Sequence, residues 1–148
     1  MSRKVFFIIV ALMLAVLTAC SNKGLGISGE QMSREVDGVK VELVNKVESE
    51  EGNTYTLKLK NGSSFIIKDY DLYLSHPIKN GEKGYRGNKD KIAATGIVGN
   101  VKSGGTETLK VFVPNSYYEN EMLKLEMVYI DIKGYFKEVS QETSFNIS

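Results

Sequence analysis

The sequence predicts an all-β domain, most simply an antiparallel two-sheet sandwich of about seven strands. Several short runs alternate apolar and polar residues, as strands do when only one face is buried. Pairs rich in glycine and asparagine separate these runs, which is typical of tight turns. After the first twenty residues, no stretch shows a helical period long enough to indicate alternating helices and strands. A closed barrel has the same alternation, so the sandwich and the barrel both stay open.

The first run sets the pattern, because Val39, Val41 and Leu43 share one face and Lys40 and Glu42 share the other. The further predicted strands are residues 54–60, 70–75, 108–114, 123–132 and 135–147, with a short, imperfect strand within 91–101. A change of parity within 123–132 predicts either a bulge there or a strand that is covered on both sides. Turns are predicted at Asn61-Gly62, Asn80-Gly81, Ser103-Gly104-Gly105, Pro114-Asn115 and Lys133-Gly134.

The length, composition and charge of the chain indicate a single folded domain and argue against binding to nucleic acid. A chain of 148 residues has room for one domain, and 42% apolar with 25% charged residues is ordinary for a folded protein. The formal net charge of +1 is too small to suggest a nucleic-acid partner.

The N-terminal segment has the order of a secretory signal peptide. Arg3 and Lys4 precede an apolar run of 13 residues, 5–17. A permanent transmembrane helix needs roughly 20 apolar residues, whereas the apolar core of a signal peptide has about 7–15. A retained amphipathic or transmembrane anchor is the alternative.

The only cysteine, Cys20, follows this segment directly. Leu17-Thr18-Ala19-Cys20 resembles the lipobox of bacterial lipoproteins. The resemblance implies that the Cys20 thiol receives a diacylglycerol with palmitate-type chains and that the chain is cut before Cys20. Two acyl chains anchor a protein stably, so we expect attachment to the extracytoplasmic face of the cell membrane without a transmembrane helix.

Three segments follow from this interpretation: a signal peptide, 1–19, a lipidated cysteine with a flexible Gly/Ser-rich linker, 20–35, and a β-sandwich domain, 36–148. Removal of residues 1–19 leaves 17 basic and 18 acidic residues, a net charge of −1. Such a near-neutral protein is not expected to adhere to an anionic membrane surface through its charge.

Candidate catalytic residues are few. His76 is the only histidine, and Asp69 and Asp71 are the best-placed carboxylates, on what alternation predicts to be the solvent face. An envelope hydrolase or enzyme accessory would have to use His76 with Asp69 or Asp71. One histidine and a lipidated cysteine cannot supply a zinc site, and no loop supplies the oxygens for calcium. We therefore predict a protein that is not an enzyme and has no cofactor or metal.

The segment 75–92 is unusually long for a connection between strands. Its candidate contact residues for a ligand or partner are Lys79, Lys83, Tyr85, Arg86, Lys89 and Lys91. With a net charge of +3, it suits an anionic envelope polymer or another envelope protein. The alternative is a solvated connection whose charges serve solubility.

The body of the chain resembles the small immunoglobulin-like domains carried by many bacterial lipoproteins. Tyr117 and Tyr118, just before the penultimate predicted strand, lie where such domains often bond a tyrosine hydroxyl to the main chain, and a platform for a ligand is their alternative role. The sequence thus predicts a lipid-anchored binding or structural module of the cell envelope.

Overall fold

The computed structural model describes residues 27–81, 84–97 and 99–148. These residues form antiparallel β-sheets with one α-helix and two 3-10 helices, which confirms the prediction of an all-β protein. The helix is α1, Gly29–Asp37, and the 3-10 helices are Asn115–Glu119 and Gln141–Thr143. The strands are β1 (Val39–Glu48), β2 (Gly52–Asn61), β3 (Ile67–Ser75), β4 (Ile78–Asn80), β5 (Gly84–Arg86), β6 (Ile92–Ala93), β7 (Asn100–Val101), β8 (Thr106–Pro114), β9 (Tyr129–Phe136) and β10 (Ser144–Ile147).

Two sheets make up the body of the domain. One has three strands in the order β1-β2-β8, and the other has the order β10-β9-β3-β6, with β7 also paired to β3. A separate hairpin consists of β4 and β5. The chain passes between the sheets near Thr95, which bridges Lys110 of β8.

One hydrophobic core joins the two sheets. Leu57 and Leu109 face it from the three-stranded sheet, and Leu72, Ile132 and Phe136 face it from the five-stranded sheet, all essentially without solvent exposure. Alternation along each strand places the intervening residues outward. The sequence predicted this inward set correctly for β2, β3 and β8.

Helix α1 lies where the sequence analysis expected the last part of a flexible linker. The side chain of Ser28 accepts a hydrogen bond from the Gln31 amide at 3.3 Å, an N-cap that the composition argument overlooked. Met32 and Val36 are four residues apart, so they share one helix face, which packs against the core. The helix is stabilised by this docking, and β1 begins immediately after it.

The strand count and one predicted turn also differ from expectation. The described residues contain ten strands rather than about seven, because the irregular segments split into pieces of two to four residues. Lys133-Gly134 is not a turn but lies inside β9. A Cβ at Gly134 would lie 2.8 Å from the Cβ of Tyr70, so the glycine permits close packing there rather than a reversal of the chain.

Two register shifts interrupt the regular pairing of the strands. One lies between Leu43 and Asn45 of β1, and the other between Lys68 and Asp71 of β3. The bulge predicted within 123–132 is absent, because residues 123–128 form turns and a single bridge instead of a strand.

Candidate functional site

His76, the only histidine of the chain, follows β3 directly. Its side chain is 1% exposed. The ring Nδ1 lies 2.7 Å from the carbonyl oxygen of Met127. A carbonyl only accepts, so Nδ1 carries the proton and donates. Nε2 then accepts from the Tyr55 hydroxyl at 3.3 Å. Both ring nitrogens are thus used within the protein.

Burial sets the protonation state of this cluster. It lowers the pKa of His76 below its ordinary value, because a charged ring would lose its hydration. The same cause raises the pKa of the Tyr55 hydroxyl, whose oxygen is 3.1 Å from the hydroxyl of Tyr118. The arrangement is therefore a neutral hydrogen-bonded chain from Tyr118 through Tyr55 to His76.

The carboxylates that the sequence paired with His76 are elsewhere. Asp71 lies five residues earlier on β3, a distance of roughly 16 Å along a strand. Its Oδ2 is 3.3 Å from Nζ of Lys133. Asp69 is exposed at the bulge and lines, with Asp71 and Ser144, a cavity of about 210 Å³. The structure confirms that both carboxylates face solvent, and it does not bring either of them to His76.

Tyr117 fastens the segment 75–92 to the body. Its hydroxyl accepts from the backbone amide of His76 at 3.0 Å and from Nδ2 of Asn88 at 3.1 Å, and donates to the carbonyl of Asp90 at 3.4 Å. Asn88 is 3% exposed. The hydroxyl of this half-buried tyrosine therefore holds both ends of the segment, which is a structural role.

Within that segment, β4 and β5 divide the predicted contact residues between two faces. Lys79 is opposite Tyr85, and Ile78 is opposite Arg86. Residues opposite each other in an antiparallel pair share a face, so Arg86 points away from Lys79 and Tyr85. Lys83 lies outside the described residues.

The remaining cations of the segment are also separated. Lys91 forms an ion pair with Asp131 at 2.9 Å, and Asp131 is nearly buried. Lys89 and Arg86 line a cavity of about 320 Å³ together with Asp90. The structure therefore brings Arg86 and Lys89 together, and it leaves Lys79 with Tyr85 on the other face and Lys91 neutralised.

Sequence reasoning missed the groups that organise this region. Tyr55, Tyr118 and Asn88 come from three distant parts of the chain, and only folding brings them to His76 and Tyr117. The one available signal was the location of Tyr117 and Tyr118 before a strand.

The lipid-attachment residue Cys20 and the predicted signal peptide lie outside the described residues. Among the residues that the structure does describe, no helix is long and apolar enough to cross a membrane. No protein-family model, no curated protein and no solved structure matches this chain.

Proposed function

We propose that the protein is an extracytoplasmic lipoprotein, anchored in the cell membrane through Cys20, whose folded part is a non-catalytic binding or structural module. The observation that carries the proposal is the sequence Leu17-Thr18-Ala19-Cys20 after a positive head and a short apolar run. The antiparallel sheets with one shared core suit an immunoglobulin-like sandwich, a frequent form of such modules.

The surroundings of His76 support a structural role for this residue. Its Nδ1 donates to Met127 and its Nε2 accepts from Tyr55, so the ring contributes to fastening the segment 75–92. A general base needs a free nitrogen within reach of a substrate proton. The geometry thus favours a fixed, folded platform over the hydrolase that the sequence left as an alternative.

The partner-contact element of this proposal is the β4–β5 hairpin, with Tyr85 and Arg86 exposed at its surface. Its base is fixed by Tyr117, while its strands carry cations on both faces. Such an element suits an anionic envelope polymer or an envelope protein with acidic side chains.

Substitution of the lipid-attachment residue tests the anchor. We expect the full-length chain to remain with membranes after an alkaline wash and the Cys20→Ala variant to be released, because it lacks the acyl chains. Ser21→Ala is the matched control and should behave as the parent does. Complete retention of Cys20→Ala in washed membranes would contradict lipid anchoring and favour a retained transmembrane segment.

A further inference from the structure

The outward face of the three-stranded sheet carries an uneven distribution of charge. We call it the lysine face. Across β1, β2 and β8 the register gives four rows, namely Lys40–Lys60–Thr106, Glu42–Lys58–Thr108, Asn45–Thr56–Lys110 and Val47–Thr54–Phe112. These side chains point to solvent, because their neighbours along β2 and β8 are the buried core residues.

The charges of the lysine face are predominantly positive. Its outward ionisable side chains are four lysines and one glutamate, which is a net formal charge of +3. Glu42 is paired with Lys60 at 2.9 Å. Lys40, Lys58 and Lys110 are the remaining cations, and Lys40 is directly opposite Lys60, an arrangement of like charges that costs stability.

Apolar side chains lie on the same face. Phe112 is 44% exposed and Val47 is 54% exposed, and both belong to the row farthest from α1. A surface that combines lysines with an exposed aromatic ring fits the boundary between lipid headgroups and acyl chains. A purely ionic polymer would be held by the cations and would leave the ring without a role.

The location of the face relative to the proposed anchor is favourable. Lys40 is two residues after Gly38, the C-cap of α1, so the lysine face begins where the chain leaves this helix. Six residues lie between Cys20 and Ile27, and the seven residue steps from one to the other span at most about 25 Å. The tether therefore keeps the folded domain close to a bilayer and raises the effective concentration of its surfaces, the lysine face among them, at that bilayer.

From these observations we infer that the lysine face binds the anionic phospholipid surface of the membrane that holds the protein, with Lys40, Lys58 and Lys110 at the headgroups and Phe112 inserted between them. This inference rests on the proposed anchoring through Cys20. The near-neutral net charge of the mature chain does not prevent such binding, because positive charge is concentrated on one sheet.

A tryptophan reporter tests the contact. The chain has no tryptophan, so Phe112→Trp supplies a single fluorophore at an already exposed aromatic position. The full-length lipidated variant is reconstituted into vesicles of phosphatidylcholine alone, or with about one third phosphatidylglycerol. We expect a blue-shifted emission only in the anionic vesicles, and loss of that shift at high salt.

Matched lysine variants make the test specific. Lys40→Gln, Lys58→Gln and Lys110→Gln together should abolish the shift. The control set Lys68→Gln, Lys133→Gln and Lys137→Gln removes the same charge from other surfaces and should retain the shift. A shift that is absent in anionic vesicles, or equally sensitive to both sets, would overturn the inference. Amine acylation gives a second readout. If the lysines of this face are protected in intact envelopes but not in anionic vesicles, the face binds an envelope polymer and the inference is overturned.

Flotation separates this failure from failure of the anchor. A lipidated chain should float with phosphatidylcholine vesicles, since the acyl chains insert without help from charge. If the protein floats with both kinds of vesicle and the fluorescence does not respond, only the lysine face is excluded. If it does not float with phosphatidylcholine, the proposed anchoring fails, and the inference that rests on it fails too.

Discussion

The outward faces of the two sheets differ in whether their charged side chains are balanced by partners of opposite sign. On the five-stranded sheet, Asp71 is opposite and bonded to Lys133, and Asp131 is paired with Lys91. On the three-stranded sheet, lysines accumulate with Glu42 as the only outward carboxylate. One sheet is thus electrically balanced and the other is not. The difference shows that a near-neutral chain can still present a strongly polarised surface.

The inward faces, by contrast, resemble each other, since both contribute fully buried aliphatic side chains to one core. Phe136 is fully buried in the five-stranded sheet and stacks on Phe145 at 4.5 Å between ring centroids, while Phe112 is exposed on the lysine face. The same residue type therefore occupies two different environments, which makes a direct test possible.

Truncation of the two phenylalanines should give the largest contrast. We expect Phe136→Ala to lower the free energy of unfolding by about 3–5 kcal/mol, because it removes buried surface and leaves a cavity. Phe112→Ala, the matched control, should change it by about 0.5 kcal/mol or less. Urea titration measures both. Equal losses would mean that Phe112 is packed rather than exposed.

Close packing within the five-stranded sheet gives the next largest effect. Gly134→Ala would place a Cβ 2.8 Å from the Cβ of Tyr70, and we expect a loss of about 1–3 kcal/mol from overpacking. At Gly87, nothing lies within 4 Å of an added Cβ, so Gly87→Ala is the control and should be nearly neutral. Thermal unfolding of the two variants makes the comparison. A stable Gly134→Ala protein would contradict the close approach of β3 and β9.

The interior, unlike either outward face, should exclude charge. Burial lowers the pKa of His76, so the unfolded chain binds its proton first as the pH falls. The neutral ring of His76 therefore contributes fully to the free energy of unfolding above its unfolded pKa of about 6.5. Below that pH the contribution is lost, at no more than about 1.4 kcal/mol per pH unit for one proton.

Urea titrations at a series of pH values measure this loss. The variant His76→Asn keeps a donor near the Met127 carbonyl but cannot titrate, so its curve should lack this component. Parallel pH profiles for the parent and His76→Asn would contradict this prediction, because they would mean that folding does not change the pKa of His76.

The smallest effects concern the two charged surfaces themselves, and they should have opposite signs. Lys40→Gln relieves the like charge of Lys60 opposite and should raise the urea midpoint slightly. Lys133→Gln removes the partner of Asp71 and should lower it slightly. High salt should diminish both shifts. If both variants shift the midpoint in the same direction, the proposed difference between the two faces is wrong.

Much of the fold could be read from local patterns. Alternation identified the inward residues of β2, β3 and β8, because a half-buried strand repeats every two residues whatever its partners are. Local patterns were misleading at Gly134, since glycine occurs both in turns and in strands where a neighbouring chain approaches closely. The sequence analysis also missed α1, because the apolar face of this short helix is recognisable only once Met32 and Val36 are seen to pack against the core.

The candidate site was less accessible to prediction. The sequence selected the cations of 75–92 as a group, but their directions depend on a hairpin register that pairs Lys79 with Tyr85 and Ile78 with Arg86. It also offered Asp69 and Asp71 as partners for His76, although β3 holds them apart. Contacts between distant segments, such as Tyr117 with Asn88, leave no local periodicity.

The sequence by itself determined the β-rich class and the inward and outward residues of β2, β3 and β8, and it contains the lipobox-like residues on which the proposed anchor depends. These properties are local, because periodicity and short motifs are written in neighbouring residues. The tertiary structure alone decided that β1, β2 and β8 lie side by side, that His76 is buried among tyrosines, and that Lys40, Lys58 and Lys110 share a face. These properties depend on which strands pair and in what register, and pairing is determined by burial of the common core rather than by any one segment.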